Sequence, residues 1–121
     1  MISVKKVIPK NIEKIIEEFV NKVNKKLGNR VKKIILYGSY ARGDFNKSSD
    51  IDIMILTNLS DDEICEYRSI ISDIAYDIEY DNDFNITLSP LLKNIDKYNY
   101  WLEAMPFYSN VQKEGVVLSG G

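Results

Sequence analysis

The segment Gly38-Ser39-Tyr40-Ala41-Arg42-Gly43-Asp44, followed after a short polar run by Ser49-Asp50-Ile51-Asp52, decides how the rest of the chain is read. Val31 to Tyr37 leads into it as a strand, with Ile34, Ile35, Leu36 and Tyr37 continuously apolar. That strand stops at Gly38, and Ser39 to Gly43 begins a short helix. A glycine at such a junction lets a ligand approach the backbone closely, and Ser39 adds a hydroxyl to the N–H groups there. The combination suits a polyphosphate.

Asp44 to Ser49 is a polar loop, and Ile51 to Leu56 is a second strand. Ile51, Ile53 and Ile55 face one way; Asp50, Asp52 and Met54 face the other. The two aspartates therefore leave one face, with Cα atoms about 6.5 Å apart. Like charges so placed repel each other and disfavour β-structure. A hard divalent cation removes the penalty because it prefers oxygen ligands. Carboxylates at this spacing converge on one cation or bracket two. Ser39 and Asp50 are eleven positions apart, so a phosphate cradle and a cation clamp fall within one short stretch. Displacement at a nucleotide phosphorus needs that pairing, and it needs no histidine.

Outward from this stretch, the chain alternates helices and strands. Ile12, Ile15, Ile16, Phe19, Val20, Val23 and Leu27 form one apolar stripe at the helical period. Pro9 suits the first turn of that helix and Gly28-Asn29 its end. Ser60-Asp61-Asp62-Glu63 predicts a capping box. The helix behind it carries Ile64, Tyr67, Ile71, Ile74, Ala75 and Ile78 on one face, with Cys65 beside the stripe and expected to be partly buried. Phe84 to Ser89 reads as a third strand that Pro90 closes. Asn94 to Met105 reads as a helix, Pro106 interrupts it, and a short helix or turn runs through Val111. Gly115 and an apolar Val116-Val117-Leu118 follow. Tyr98, Tyr100, Trp101, Phe107 and Tyr108 are expected in the core, with a partner-binding patch as the alternative. These elements predict an α/β (α+β) single domain over residues 1–118, a mixed β-sheet with helices packed on it. Ser119-Gly120-Gly121 is set aside as a tail.

Composition narrows the chemistry. The 121 residues suit one domain. The chain has no histidine and one cysteine, which excludes Ser-His-Asp and Cys-His nucleophiles, histidine-dependent zinc sites and an intramolecular disulfide. Carboxylates, Lys/Arg, hydroxyls or a hard metal must carry any catalysis. A net charge of −2 is not that of a domain gripping nucleic acid by bulk charge. Lys5 to Lys33 is basic and Asp44 to Asp83 acidic, so the charge is uneven. No stretch is long and apolar enough for a membrane span. Lys5 and Lys6 precede no apolar run, so no signal peptide is read, and a cytoplasmic protein is expected. The sequence is compatible with a homo-oligomer.

G-S-Y-A-R-G-D with S-D-I-D resembles the signature of the DNA polymerase β-like nucleotidyltransferase superfamily, and most of all its minimal nucleotidyltransferases. The resemblance implies a nucleotidyltransferase fold, Asp50 and Asp52 as catalytic residues holding Mg²⁺, and Gly38 and Ser39 on the phosphates of ATP or another nucleoside triphosphate. Arg42 matches a basic position of the minimal group and is expected to touch a phosphate or pin the loop. It further implies transfer of AMP to a hydroxyl, with a small helical HEPN-type protein as partner in a toxin–antitoxin pair. The family's third carboxylate lies on the following strand, where Asn85, Thr87 and Ser89 are neutral. Asp83 has the same parity but sits at the strand's edge. A nucleotide-binding or partner-docking module with weakened catalysis is the alternative reading. A small-molecule acceptor such as an aminoglycoside is a third, disfavoured because it normally requires a second domain.

Overall fold

The computed structural model describes residues 7–120; Lys5, Lys6 and Gly121 lie outside the described residues. The first helix, α1 (Lys10–Leu27), buries Ile12, Ile15, Ile16, Phe19, Val20, Val23 and Leu27, the whole predicted stripe. Pro9 occupies its N-cap position, and Gly28 closes it at a φ of 57°. A single 3-10 turn leads into β1 (Val31–Tyr37). The remaining elements are α2 (Ser39–Arg42), β2 (Ile51–Thr57), α3 (Asp61–Asp81), β3 (Leu88–Asn94), α4 (Ile95–Trp101), α5 (Pro106–Glu114) and β4 (Val116–Ser119).

Four strands form one mixed sheet in the order β3-β2-β1-β4. β1 is antiparallel to β2 and β4, whereas β2 and β3 are parallel. The alternation read in the second strand sets the two faces. Ile51, Ile53 and Ile55 join Ile34 and Leu36 in a core roofed by α1 and α3. Met54 and Leu56 join Ile35, Tyr98 and Val111 in a smaller core beneath α4 and α5. Asp52 shares the parity of Met54 and so belongs to the face carrying the smaller core.

Several expectations are corrected. The third strand begins at Leu88 rather than Phe84 and runs through Pro90. After α3, Asp83 and Phe84 both take a φ of 55°, a left-handed turn that halts extension. Phe84 folds back on α3, against Tyr76 and Tyr80 with ring centroids 5.6 and 5.9 Å away. Leu88 N–H donates to Glu79 Oε2 at 2.9 Å, tying the strand's start to the helix. Pro90 fits because β3 is an edge strand and its missing N–H interrupts no outer ladder. Ser119, set aside as tail, ends β4 and pairs with Ile34. Cys65 is exposed rather than partly buried, since the apolar stripe turns away from it. Of the five aromatics expected in the core, Tyr98 is buried, while Tyr100, Trp101 and Phe107 are exposed. No helix among the described residues is long and apolar enough to cross a membrane.

Candidate active site

β1 and β2 deliver the key residues to one end of the sheet. Tyr37 and Asp52 are register partners across the antiparallel pair, and Ser89 is the partner of Asp52 across the parallel one. Asp52 therefore lies between a tyrosine and a serine on adjacent strands. Gly38 follows Tyr37 with φ 75° and ψ −155°, a conformation that only glycine adopts without strain. A Cβ placed on Gly38 would overlap Asp52 Oδ2 and come within 3.1 Å of its Cγ. The glycine–serine bend and the Asp52 carboxylate are thus in direct apposition.

They open on a cleft of about 430 Å³, whose walls include Tyr37, Ser39, Arg42, Asp52, Phe107 and Glu114. Phe107 stands edge-on to Tyr37, centroids 5.6 Å apart and planes at 85°, so the two rings form one wall. Arg42 closes the opposite side. Its Nε donates to Asp44 Oδ2 at 3.2 Å and its Nη1 to Glu114 Oε2 at 3.3 Å, a bridge from α2 to α5. Asp50 precedes β2 and is exposed; it does not line the cleft wall.

The electrostatics agree with this placement. Burial holds the Asp52 carboxyl above its ordinary pKa; the Asp50 charge pushes it further up, and Arg42 opposes both. The aspartates thus feel each other, as their shared parity requires. Tyr37 is pushed up to about 12, by burial first and the Asp52 charge second, and stays a neutral phenol near pH 7.

The structure brings Gly38, Ser39, Arg42 and Asp52 into one cleft and leaves Asp50 at its edge. Asp83 is exposed in the turn after α3, away from the Asp52 register position, which belongs to Ser89. Asn85 and Thr87 precede β3 in the loop. Among the described residues no group of three or more His, Cys, Asp or Glu side chains forms a metal cluster. Two carboxylates still suit Mg²⁺, which binds through one or two of them and takes its other ligands from water and substrate phosphates. The mutual repulsion at Asp52 is what such a cation relieves.

Sequence reasoning missed Tyr37, Phe107 and Glu114. Phe107 and Glu114 are distant in sequence and arrive through the packing of α5 on β1. Tyr37 had a usable signal, the alternation of β1 into the bend.

A mixed sheet whose strand end presents a Gly-Ser bend against an aspartate is the frame of a nucleotide-transfer domain. A family model described as "Nucleotidyltransferase domain" matches residues 12–108, and the chain belongs to that family. It is 35% identical over 108 residues to a Methanocaldococcus jannaschii protein named as a protein adenylyltransferase, MJ0604, covering 89% of this chain and 98% of that one. A second protein of that organism under the same name, MJ0141, is 35% identical over 82 residues, 67% of this chain and 78% of its own length. Among solved structures, a mutant of the toxin–antitoxin MntA-HpeT superposes with a TM-score of 0.51 at 19% identity, covering 90% of this chain and 73% of that one. That likeness is one of fold. The chain is a nucleotidyltransferase.

Proposed function

We propose that this nucleotidyltransferase transfers AMP from ATP to a hydroxyl of a protein, with Mg²⁺ held by Asp50 and Asp52, in the cytoplasm. The observation that carries the reading is the apposition of Gly38 to the Asp52 carboxylate, which puts bend and aspartate in one cleft. The relatives named as protein adenylyltransferases favour ATP over other nucleoside triphosphates and a protein over a small molecule. The partner is a small helical HEPN-type protein, the chain acting as its antitoxin; the MntA-HpeT pair offers a precedent on the same fold.

In this scheme Gly38 and Ser39 hold the triphosphate, which enters the cleft past Phe107. Its phosphates compete with Asp44 and Glu114 for the Arg42 guanidinium. Bound Mg²⁺ supplies charge neutralisation at the phosphates and polarisation of the reacting oxygens. The acceptor oxygen bonds to the α-phosphorus, the bond to the bridging oxygen breaks, and pyrophosphate leaves with that electron pair. The hydroxyl proton passes to solvent, because the strand beside Asp52 carries Ser89 and no carboxylate. Turnover is accordingly slow.

The test is transfer of label from α-labelled ATP to the partner with release of pyrophosphate. Asp50→Asn and Asp52→Asn are expected to lower the rate about a hundredfold or more, the scale on which removing one stabilising contact at a reacting centre acts. Equal rates in wild type and variants would overturn the site. The neutral Ser89 favours one second reading, a module that binds without turnover. Calorimetric binding of Mg-ATP with no pyrophosphate release would select it.

A further inference from the structure

Resting on the nucleotide transfer proposed above, we infer that α5 supplies the base subsite of the cleft, with Phe107 as the surface on which the base stacks and Asn110 as the group that reads its edge as adenine. Phe107, Asn110 and Glu114 recur at three and four residues along α5, so they share one face of that helix. All three line the cavity of about 430 Å³ that also holds Gly38, Ser39 and Asp52. Packing fixes the orientation of that face. Val111 is buried with Ile35, Met54 and Leu56 in the smaller core. Gly115, just past the helix, lies so close to β1 that a Cβ there would overlap the Ile35 side chain and the Val111 carbonyl oxygen. α5 is therefore seated on the sheet, and its three cleft residues enter the cavity as one unit.

Along that face the chemistry grades from charged to aromatic. Glu114, at the C-terminal end, accepts from Arg42, which marks the charged part of the cleft. Phe107 stands seven residues earlier, about 10 Å of helix rise away, which leaves room for a sugar between the two. Its ring remains 43% exposed despite the edge-on contact with Tyr37. An aromatic surface left open inside a phosphate-binding cleft is a platform for the π-face of a base. Asn110 is exposed, and its carboxamide has no hydrogen-bond partner among the described residues. A carboxamide sets an acceptor beside a donor. Adenine matches both with its N6 amino group and N7, whereas guanine shows two acceptors on that edge and calls for Arg or Lys. Arg42 is the one such residue among those lining the cleft, and Asp44 and Glu114 hold it. Pyrimidines offer a smaller face to the ring.

The experiment is calorimetry of the full chain in Mg²⁺ with non-hydrolysable analogues of ATP, GTP and CTP, and with inorganic tripolyphosphate as the probe that lacks a base. The ATP analogue is expected to bind about tenfold more tightly than the other two, the scale of one matched bidentate pair, and all three more tightly than tripolyphosphate. Phe107→Leu keeps an apolar side chain against Tyr37 but removes the ring. It should weaken the ATP analogue about tenfold and leave tripolyphosphate affinity and Tm unchanged. Asn110→Ala should bring the ATP analogue down to the level of the GTP analogue. Equal binding of the three nucleotides by wild type would overturn the inference, as would an ATP preference that survives Asn110→Ala. Equal losses of tripolyphosphate and ATP analogue in Phe107→Leu would make that ring a support for the fold and overturn its role as platform. Tripolyphosphate binding that no base improves overturns the base subsite and leaves the phosphate cradle standing. Adenine-selective binding without transfer to a protein overturns the transfer reading and leaves the base subsite standing.

Discussion

In the proposed reaction, one residue just past the end of β1, Gly38, and one on β3, Ser89, set how much chemistry the cleft performs. Gly38 is irreplaceable for two independent reasons, a φ of 75° and the Asp52 carboxylate where a Cβ would sit. Gly38→Ala is therefore expected to cost about 1–3 kcal/mol of stability through backbone strain. It also displaces Asp52, so Mg-ATP binding should weaken even under conditions where the variant stays folded. Wild-type affinity by calorimetry would show that bend and carboxylate act separately. Ser89 is the converse case: in the proposed reaction its neutrality leaves the acceptor hydroxyl without a base beside Asp52. A carboxylate there would stand beside Asp52 in register, placed as a base for the acceptor hydroxyl. General bases contribute roughly 10²–10⁴-fold. Ser89→Asp should raise the transfer rate at least about tenfold if part of that benefit is recovered. An unchanged or lower kcat, measured by pyrophosphate release, would mean that proton removal does not limit the reaction.

At the scale of elements, the start of α3 shows how a local motif reaches across the fold. Ser60 Oγ accepts from Glu63 N–H at 3.3 Å, and Glu63 Oε1 accepts from Ser60 N–H at 3.0 Å. The same Glu63 oxygen accepts from Arg30 Nη2 at 2.8 Å, which ties α3 to the turn ahead of β1. The Arg30 hydrogen bond, followed by the Ser60 backbone, lowers the Glu63 pKa from 4.5 to about 2. A depressed carboxyl stabilises the fold fully above its unfolded value and loses that contribution as pH falls toward the folded one. The denaturation midpoint of wild type relative to Glu63→Gln should hence be constant above pH 4.5 and converge between 4.5 and about 2. Parallel midpoints through that window would refute the coupling. Ser60→Ala should cost about 1 kcal/mol by the same assay. This box was legible because it is contiguous in sequence, as were the α1 stripe and the alternation of β2. The third strand was misread because Phe84, Ile86 and Leu88 alternate like a strand. Two left-handed residues and the Phe84 contact with α3, neither visible in the pattern, override it. Gly38, Ser39 and Asp52 were readable from their spacing, but Phe107 and Glu114 reach the cleft only when α5 docks on the sheet, which no local pattern encodes.

For the molecule as a whole, the larger core and the proposed chemistry lie on different faces of one sheet. The larger core, beneath α1 and α3, includes Phe19 and Val23 at 0% exposure and contains none of the aspartates. The smaller core lies on the face of Asp52, whose half-buried carboxyl is held above its ordinary pKa by burial and by Asp50. A charge kept where its ionised form is disfavoured works against folding, and in the proposed function it is kept for its ligand. Opposite substitutions should therefore separate the two properties. Phe19→Ala removes a fully buried ring and should cost about 3–5 kcal/mol. At temperatures where that variant remains folded, its affinity for Mg-ATP should match wild type, since no cleft residue has moved. Asp52→Asn removes the disfavoured charge in an isosteric way. Its Tm without ligand should equal or exceed that of wild type, whereas the rise in Tm on adding Mg-ATP should shrink or vanish. Thermal melts with and without nucleotide measure all four quantities together. A Tm for Asp52→Asn well below wild type would assign that carboxylate a structural role and remove the physical basis for reading it as a ligand for a cation.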